Sequence, residues 1–143
     1  MSLKQIAVFV ENRQGALTEI TDVLANSGVD IRALSISETQ DFGILRMIVN
    51  DLETAKTALS EAKCVYSIND VVGVEIPDKA GSMAKVIRLL ADDGINIEYV
   101  YAFVGNSGKN AWVVIRVKDN EKAETLLKEN GYRVFRDVDI KNI

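Results

Sequence analysis

Histidine is absent from the 143 residues, and cysteine occurs once, at Cys64. Without histidine the chain lacks the side chain that most often serves as general acid–base and as metal ligand. One cysteine excludes an internal disulfide, and a zinc site would have to be built from carboxylates alone. No metal and no cofactor are therefore expected. Proline is as scarce, with Pro77 alone, and a chain that is 48% hydrophobic with one proline reads as a folded globule, not a disordered segment. Positive charge is in deficit. With 17 Lys and Arg against 21 Asp and Glu the net charge is −4, which leaves no electrostatic footprint for nucleic acid or an anionic membrane. No apolar run approaches the roughly 20 residues needed to span a bilayer. The opening Met1-Ser2-Leu3-Lys4-Gln5 gives way at once to strand-like sequence, unlike a secretory signal. A cytoplasmic protein with no nucleic-acid and no membrane partner is the expectation.

What is present is alternation of strand and helix signals. Residues 5–10 are short, β-branched and aromatic, as a buried strand is. Leu17, Ile20, Val23 and Leu24 then fall at helical spacing, and Asn26-Ser27-Gly28 supplies the glycine expected just past a helix end. Strands follow over 29–37 and 44–49, the latter interrupted by Arg46, with a turn at Thr39-Gln40-Asp41. Asp51-Leu52-Glu53 opens a second helix with acidic residues in its first turn. Its inner face is Ala55, Ala58, Leu59 and Ala62. A short strand over 64–68 closes the unit, and Asn69-Asp70 reads as the only linker.

The second half repeats this order. A shift of 66 residues takes Val8, Gly15, Leu24, Ala25, Gly28 and Ile31 to identical residues at Val74, Gly81, Leu90, Ala91, Gly94 and Ile97. Past the central hairpin the shift becomes 68. There Val49, Asp51, Glu53, Ala55, Thr57 and Leu59 meet Val117, Asp119, Glu121, Ala123, Thr125 and Leu127. The hairpin at Gly105-Asn106-Ser107-Gly108 is thus two residues longer, with strands over 95–104 and 110–118 and a last strand over 133–140. The chain is a tandem duplication, with domains at 1–69 and 70–143. Each βαββαβ half predicts a ferredoxin-like sandwich, so the fold class is α+β. At about 70 residues a single core is marginal, and a short linker leads us to expect the halves to pack together near the first helix and second strand of each.

The stretch around Gly15 organises the rest. Val10-Glu11-Asn12-Arg13-Gln14-Gly15-Ala16-Leu17 leaves a strand, turns at a glycine and starts a helix, and Ile76-Pro77-Asp78-Lys79-Ala80-Gly81-Ser82-Met83 repeats it. Glycine there permits backbone conformations that a side chain forbids. The helix start behind it presents N–H groups that favour an anion. Asn12 or Asp78 could fix the other end of a small zwitterion. These are also ordinary turn residues, so the pattern alone leaves a plain turn and a binding loop both open.

A polar-x-x-Gly turn between strand and helix, then Gly-hydrophobic-Asn/Asp-Ile opening the next strand, resembles the ACT domain, a small regulatory module that binds amino acids. The matching residues are Asn12 to Gly15 with Gly28-Val29-Asp30-Ile31, and Asp78 to Gly81 with Gly94-Ile95-Asn96-Ile97. Glu11-Asn12-Arg13-x-Gly15 is similar to the serine-sensing ACT domain of phosphoglycerate dehydrogenase. It departs from it in two ways: Gln14 replaces the usual proline, and Val10 stands where that version has histidine. The resemblance implies an amino-acid ligand at the interface of paired ACT units, one giving the turn and the other the residue before the isoleucine. One site would combine Asn12, Arg13, Gln14, Gly15 and Ala16 with Asn96, and the other Asp78, Ala80 and Gly81 with Asp30. Two amides each donate and accept, which suits a zwitterion. Two carboxylates repel unless a cation lies between them, so the Asn12/Asn96 set is the better site. The partners implied are an amino acid, a homodimer, and an enzyme regulated in trans.

Other functions on this fold are poorly served. Base stacking would need basic residues beside the sheet aromatics, and metal carriage would need paired cysteines in the first loop. Phosphate chemistry has a faint echo in Arg13 with Asn12, but no nucleophile–base pair can be assembled, so no catalytic activity is expected. Tyr99, Tyr101 and Phe103 alternate and should share one sheet face, with Trp112 in a core or interface. A pure interaction module is the competing reading.

Overall fold

The computed structural model describes residues 2–104 and 110–141. Two compact units divide the chain, Lys4–Asn69 and Asp70–Ile143, the second also taking in Met1–Leu3. Among the described residues there are seven strands and five helices. The first unit holds β1 (Leu3–Glu11), α1 (Ala16–Asn26), β2 (Ile31–Glu38), β3 (Phe42–Val49), α2 (Leu52–Glu61) and the start of β4 (Tyr66–Pro77). The second holds the rest of β4, then α3 (Ser82–Asp92), β5 (Tyr99–Ala102), β6 (Asn110–Arg116), α4 (Asn120–Glu129), β7 (Arg133–Phe135) and a helical turn, α5 (Asp137–Lys141).

Strand order is β2-β3-β1-β4 in the first unit and β5-β6-β4-β7 in the second. Each is the antiparallel βαββαβ arrangement that the sequence predicts. The register shows how one face of each sheet becomes core. In the first unit Ile6 lies opposite Met47 and Val8 opposite Leu45. In the second, Val72 lies opposite Ile115 and Val74 opposite Val113. Both cores use the same positions. Ile6, Val8, Val10, Ile20, Leu24, Val29, Leu45, Met47, Val49, Ala55 and Leu59 in one are matched by Val72, Val74, Ile76, Val86, Leu90, Ile95, Val113, Ile115, Val117, Ala123 and Leu127 in the other. Full burial of such a side chain contributes on the order of 1.5–3 kcal/mol.

The helix ends repeat as faithfully. Asp51 and Asp119 each accept a hydrogen bond at 3.1 Å from the backbone N–H three residues on, Thr54 and Lys122. That satisfies one donor the helix cannot. After α1, Gly28 N–H donates to Ala25 and Val29 N–H to Leu24; after α3, Gly94 donates to Ala91 and Ile95 to Leu90. Both are the paired bonds of a helix stopped by a left-handed glycine, φ 74° in each case.

Several details differ from the sequence expectation. Asn69-Asp70 is not a linker loop, because β4 runs through it unbroken. The Asp70 carbonyl accepts a hydrogen bond from Arg116, and ladder pairing overrides the turn preference of the two residues. The final strand stops at Phe135 and is followed by α5, not extended to 140. There Asp139 reaches back to accept from Arg136 N–H at 2.8 Å, while Asp139 N–H donates to the Arg136 carbonyl at 2.9 Å. This reciprocal capping starts a helix. Strand β5 is confined to four residues. Leu17 and Ala62, expected on inner helix faces, are exposed, Ala62 as the cap that ends α2. Arg46 does not break β3, since it lies in register with Ala7 and Ser35 and its Nη1 donates to Ser37 Oγ at 2.9 Å. The longer hairpin at 105–108 lies outside the described residues.

Tyr99 and Tyr101 do share a face, ring centroids 6.3 Å apart, and Phe103 packs edge-on to Trp112 at 5.5 Å. Trp112 also stacks on buried Phe135 at 3.8 Å, and its Nε1 donates to Glu75 Oε1 at 2.8 Å. Gly73 makes room for this packing. A Cβ there would lie 2.9 Å from Leu3 Cδ2 and 3.3 Å from Phe135 Cβ.

Candidate functional site

The loop from β1 to α1 and the loop from β4 to α3 have one geometry. Gly15 and Gly81 begin their helices in the left-handed region, φ 87° and 88°, and neither helix has a side-chain cap at that end. Nothing crowds either glycine, so φ alone demands the residue. Arg13 N–H donates to the Glu11 carbonyl and Lys79 N–H to that of Pro77, each at 3.0 Å. Ala16 N–H donates to Arg13 and Ser82 N–H to Lys79. In the first loop Leu17 and Thr18 N–H have no acceptor among the described residues. Such groups make a helix start attractive to an anion.

Side chains around the two loops differ sharply. Asn12 anchors the first loop to the β2–β3 turn: its Nδ2 donates to Thr39 and Gln40 carbonyls at 3.1 and 3.3 Å, and its N–H to Asp41 at 2.9 Å. Its Oδ1 has no partner among the described residues. Arg13 bridges Glu11 (Nε to Oε2, 3.0 Å) and Glu19 (Nη2 to Oε2, 2.9 Å), and its Nη1 also reaches the Gln14 carbonyl. Hydrogen bonds to Glu19 and then Glu11 raise its pKa further, so its charge is committed within the loop. In the second copy Pro77, Lys79 and Lys85 stand at the positions of Glu11, Arg13 and Glu19, all three exposed. The first loop thus carries net negative charge and the second positive.

Asp30 and Asn96, the residues before the isoleucines, also diverge. Asp30 N–H donates to Asn50 Oδ1 at 2.8 Å and Asn50 N–H returns a bond to the Asp30 carbonyl at 3.1 Å. The Asp30 carboxylate is paired with Arg32 Nη1 at 3.0 Å. Asn96 is exposed and makes no side-chain hydrogen bond among the described residues. Lys118, at the position of Asn50, has no side-chain acceptor with which to tie it down.

Within either unit the loop and the pre-isoleucine residue are not brought together. They flank opposite ends of an 11-residue helix, about 16 Å long. Arg32 is the residue that reading the sequence missed. It pairs with the Asp30 carboxylate, and Asp-x-Arg opening an extended strand, both side chains on one face, is the signal that could have found it. Among the described residues no group of three or more His, Cys, Asp and Glu could hold a metal. No described helix is long and apolar enough to cross a membrane.

Comparison with known proteins follows the duplication. Protein BT0572 from Bacteroides thetaiotaomicron has a crystal structure that superposes with a TM-score of 0.91 at 40% identity, over 100% of this chain and 98% of that one. The regulatory subunit of aspartate kinase from Thermus thermophilus, in its ligand-free form, superposes at 0.65 with 18% identity over 90% and 91% of the two chains. Aspartate kinase from Synechocystis matches at 0.59 and 23% identity, over 89% of this chain and 25% of the enzyme. The latter two share the fold alone. No match was found among curated proteins. The sequence pattern of an ACT domain pair matches residues 1–143, and the chain belongs to that family.

Proposed function

We propose that the chain is an amino-acid-binding regulatory protein. A small amino acid would be held by its carboxylate at the N–H groups behind Gly15, in the loop Asn12-Arg13-Gln14-Gly15-Ala16, and by its ammonium at Asn12 and Asn96. The observation that carries this reading is the loop itself: a left-handed glycine heading an uncapped helix, built twice with the same bonds. Asn12 supports it further, since the hairpin takes up its donors and leaves Oδ1 to accept from an ammonium. Asn96, with no bond of its own, is available to do the same. The second set proposed is Asp78, Ala80 and Gly81 with Asp30. Exposed charge contacts of this kind suit micromolar to millimolar affinity, about 4–8 kcal/mol. Such affinity lets a sensor follow a metabolite. A thermal-shift screen of the twenty amino acids tests the reading, because a ligand of the native state raises its stability; no shift with any of them would refute it.

A second reading is a regulatory subunit acting on a partner enzyme in trans. Its support is the fold shared with the aspartate kinase regulatory subunit. It predicts that the amino acid found in the screen alters, through this chain, the activity of an enzyme that makes or uses it.

A further inference from the structure

Within the first unit an open groove lies where the end of α1 meets α2. It has a volume of about 290 Å³ and is lined by Ser27, Glu53, Thr54, Thr57, Ala58 and Glu61. The repeat shows what fills the corresponding place in the second unit. At the shifts of 66 and 68 residues, Ser27 and Thr54 correspond to Asp93 and Lys122. Lys122 reaches from α4 to the end of α3, where its Nζ donates to the Asp93 carbonyl at 3.2 Å and lies 3.8 Å from Asp93 Oδ2. A cation there meets the negative end of the α3 dipole and a carbonyl that the helix leaves open.

The first unit has the receptor without the ammonium. Neither α1 nor α3 carries a basic residue in its last turn, and Thr54 cannot lend α1 the charge that Lys122 lends α3. The Ser27 carbonyl has no hydrogen-bond partner among the described residues. Glu53 and Glu61 stand at the groove two turns of α2 apart, about 12 Å along its axis, a separation their flexible side chains can close onto a short diamine. Glu53 shares Lys56 at 3.4 Å, whereas Glu61 has no ion pair among the described residues. Between them the hydroxyls of Thr54 and Thr57 are taken by Asp51 Oδ2 and the Glu53 carbonyl. With Ala58 beside them, they make a stretch suited to methylenes. We propose that this groove binds a linear diamine, one ammonium donating to the Ser27 carbonyl beside Glu53 and the other held by Glu61. The first contact copies the one Lys122 makes to Asp93. The Gly15 loop heads the same 11-residue helix at its other end, so this site is independent of the amino-acid reading above.

Backbone-amide NMR of the isotope-labelled full chain, titrated with cadaverine and with pentylamine, tests the proposal. Cadaverine should shift the amides of Ser27, Thr54, Thr57 and Glu61 at millimolar concentration. It should bind about threefold more tightly than pentylamine, as a second, exposed ion pair allows. Thr54→Lys gives the first unit an ammonium of its own and should weaken cadaverine by about tenfold, the worth of one charge-assisted hydrogen bond. Lys122 shows that this position takes lysine with the aspartate cap intact. Glu61→Gln, an exposed change that carries the test if the lysine variant does not fold, should reduce cadaverine to the affinity of pentylamine. No shift at these amides overturns the proposal, as do shifts spread evenly over the acidic surface or binding unchanged in both variants. Neither amine is an amino acid, so such a failure leaves the loop reading standing.

Discussion

Gly15 and Gly81, 66 residues apart, hold the same left-handed backbone within one degree of φ. Around that shared geometry Glu11, Arg13 and Glu19 have become Pro77, Lys79 and Lys85. The two halves kept the backbone device and changed its electrostatics. Duplicated binding loops with different ligands, or with one ligand and one spare, would diverge in this way.

The glycines give the simplest stability prediction. Gly15→Ala and Gly81→Ala meet no steric neighbour, so their cost is the left-handed conformation alone, about 1–2 kcal/mol each. Urea denaturation should show that loss in both; a variant as stable as wild type would mean the loop relaxes to another conformation.

Comparing the repeats also identifies a residue to improve. Lys63 is the one non-glycine residue with positive φ among the described residues, at 62°, and its counterpart after α4 is Gly131, at 84°. Cys64 N–H bonds to Leu59 as Tyr132 N–H bonds to Leu127, so the helix ends are alike. Lys63→Gly should stabilise by roughly 0.5–1 kcal/mol, relief of the left-handed strain exceeding glycine's added chain entropy. A destabilised variant would show that Lys63 makes a contact worth more than the strain.

Cys64 should be a sluggish thiol. Burial, and secondarily the charge of Glu19, push its pKa up. Alkylation by iodoacetamide at pH 8 should be slower in the folded chain than in urea, and Glu19→Gln should speed it. A raised folded pKa means the unfolded thiol ionises first. This contribution to stability is therefore intact below about pH 8.5 and is lost as pH climbs through the folded value. Equal alkylation rates folded and unfolded would refute the burial argument.

The sequence made the duplication plain because the core positions repeat at fixed shifts, down to the pairs Leu24/Leu90 and Val49/Val117. Helix ends were equally plain, since Asp51, Asp119, Gly28 and Gly94 act through local bonds. What escaped was set by particular side-chain bonds, some distant and some local, that hydrophobic periodicity does not report. Asn69-Asp70 looks like a turn until Arg116 and the ladder hold it extended. The segment after Phe135 looks like strand until Asp139 reaches back to Arg136. For the site, the loop residues were visible as a motif, whereas the commitments of Asn12 to the hairpin and of Asp30 to Arg32 depend on strand register and side-chain direction.

The most direct test of amino-acid binding is calorimetry of the wild-type chain and of Asn12→Ala, Asn96→Ala and the double variant, with the amino acid that stabilises the protein most. The account predicts a measurable dissociation constant between about 1 μM and 1 mM. It predicts that each single change weakens binding, and that the double change falls short of the sum because both side chains touch one ligand. Unchanged affinity in both single variants would contradict it.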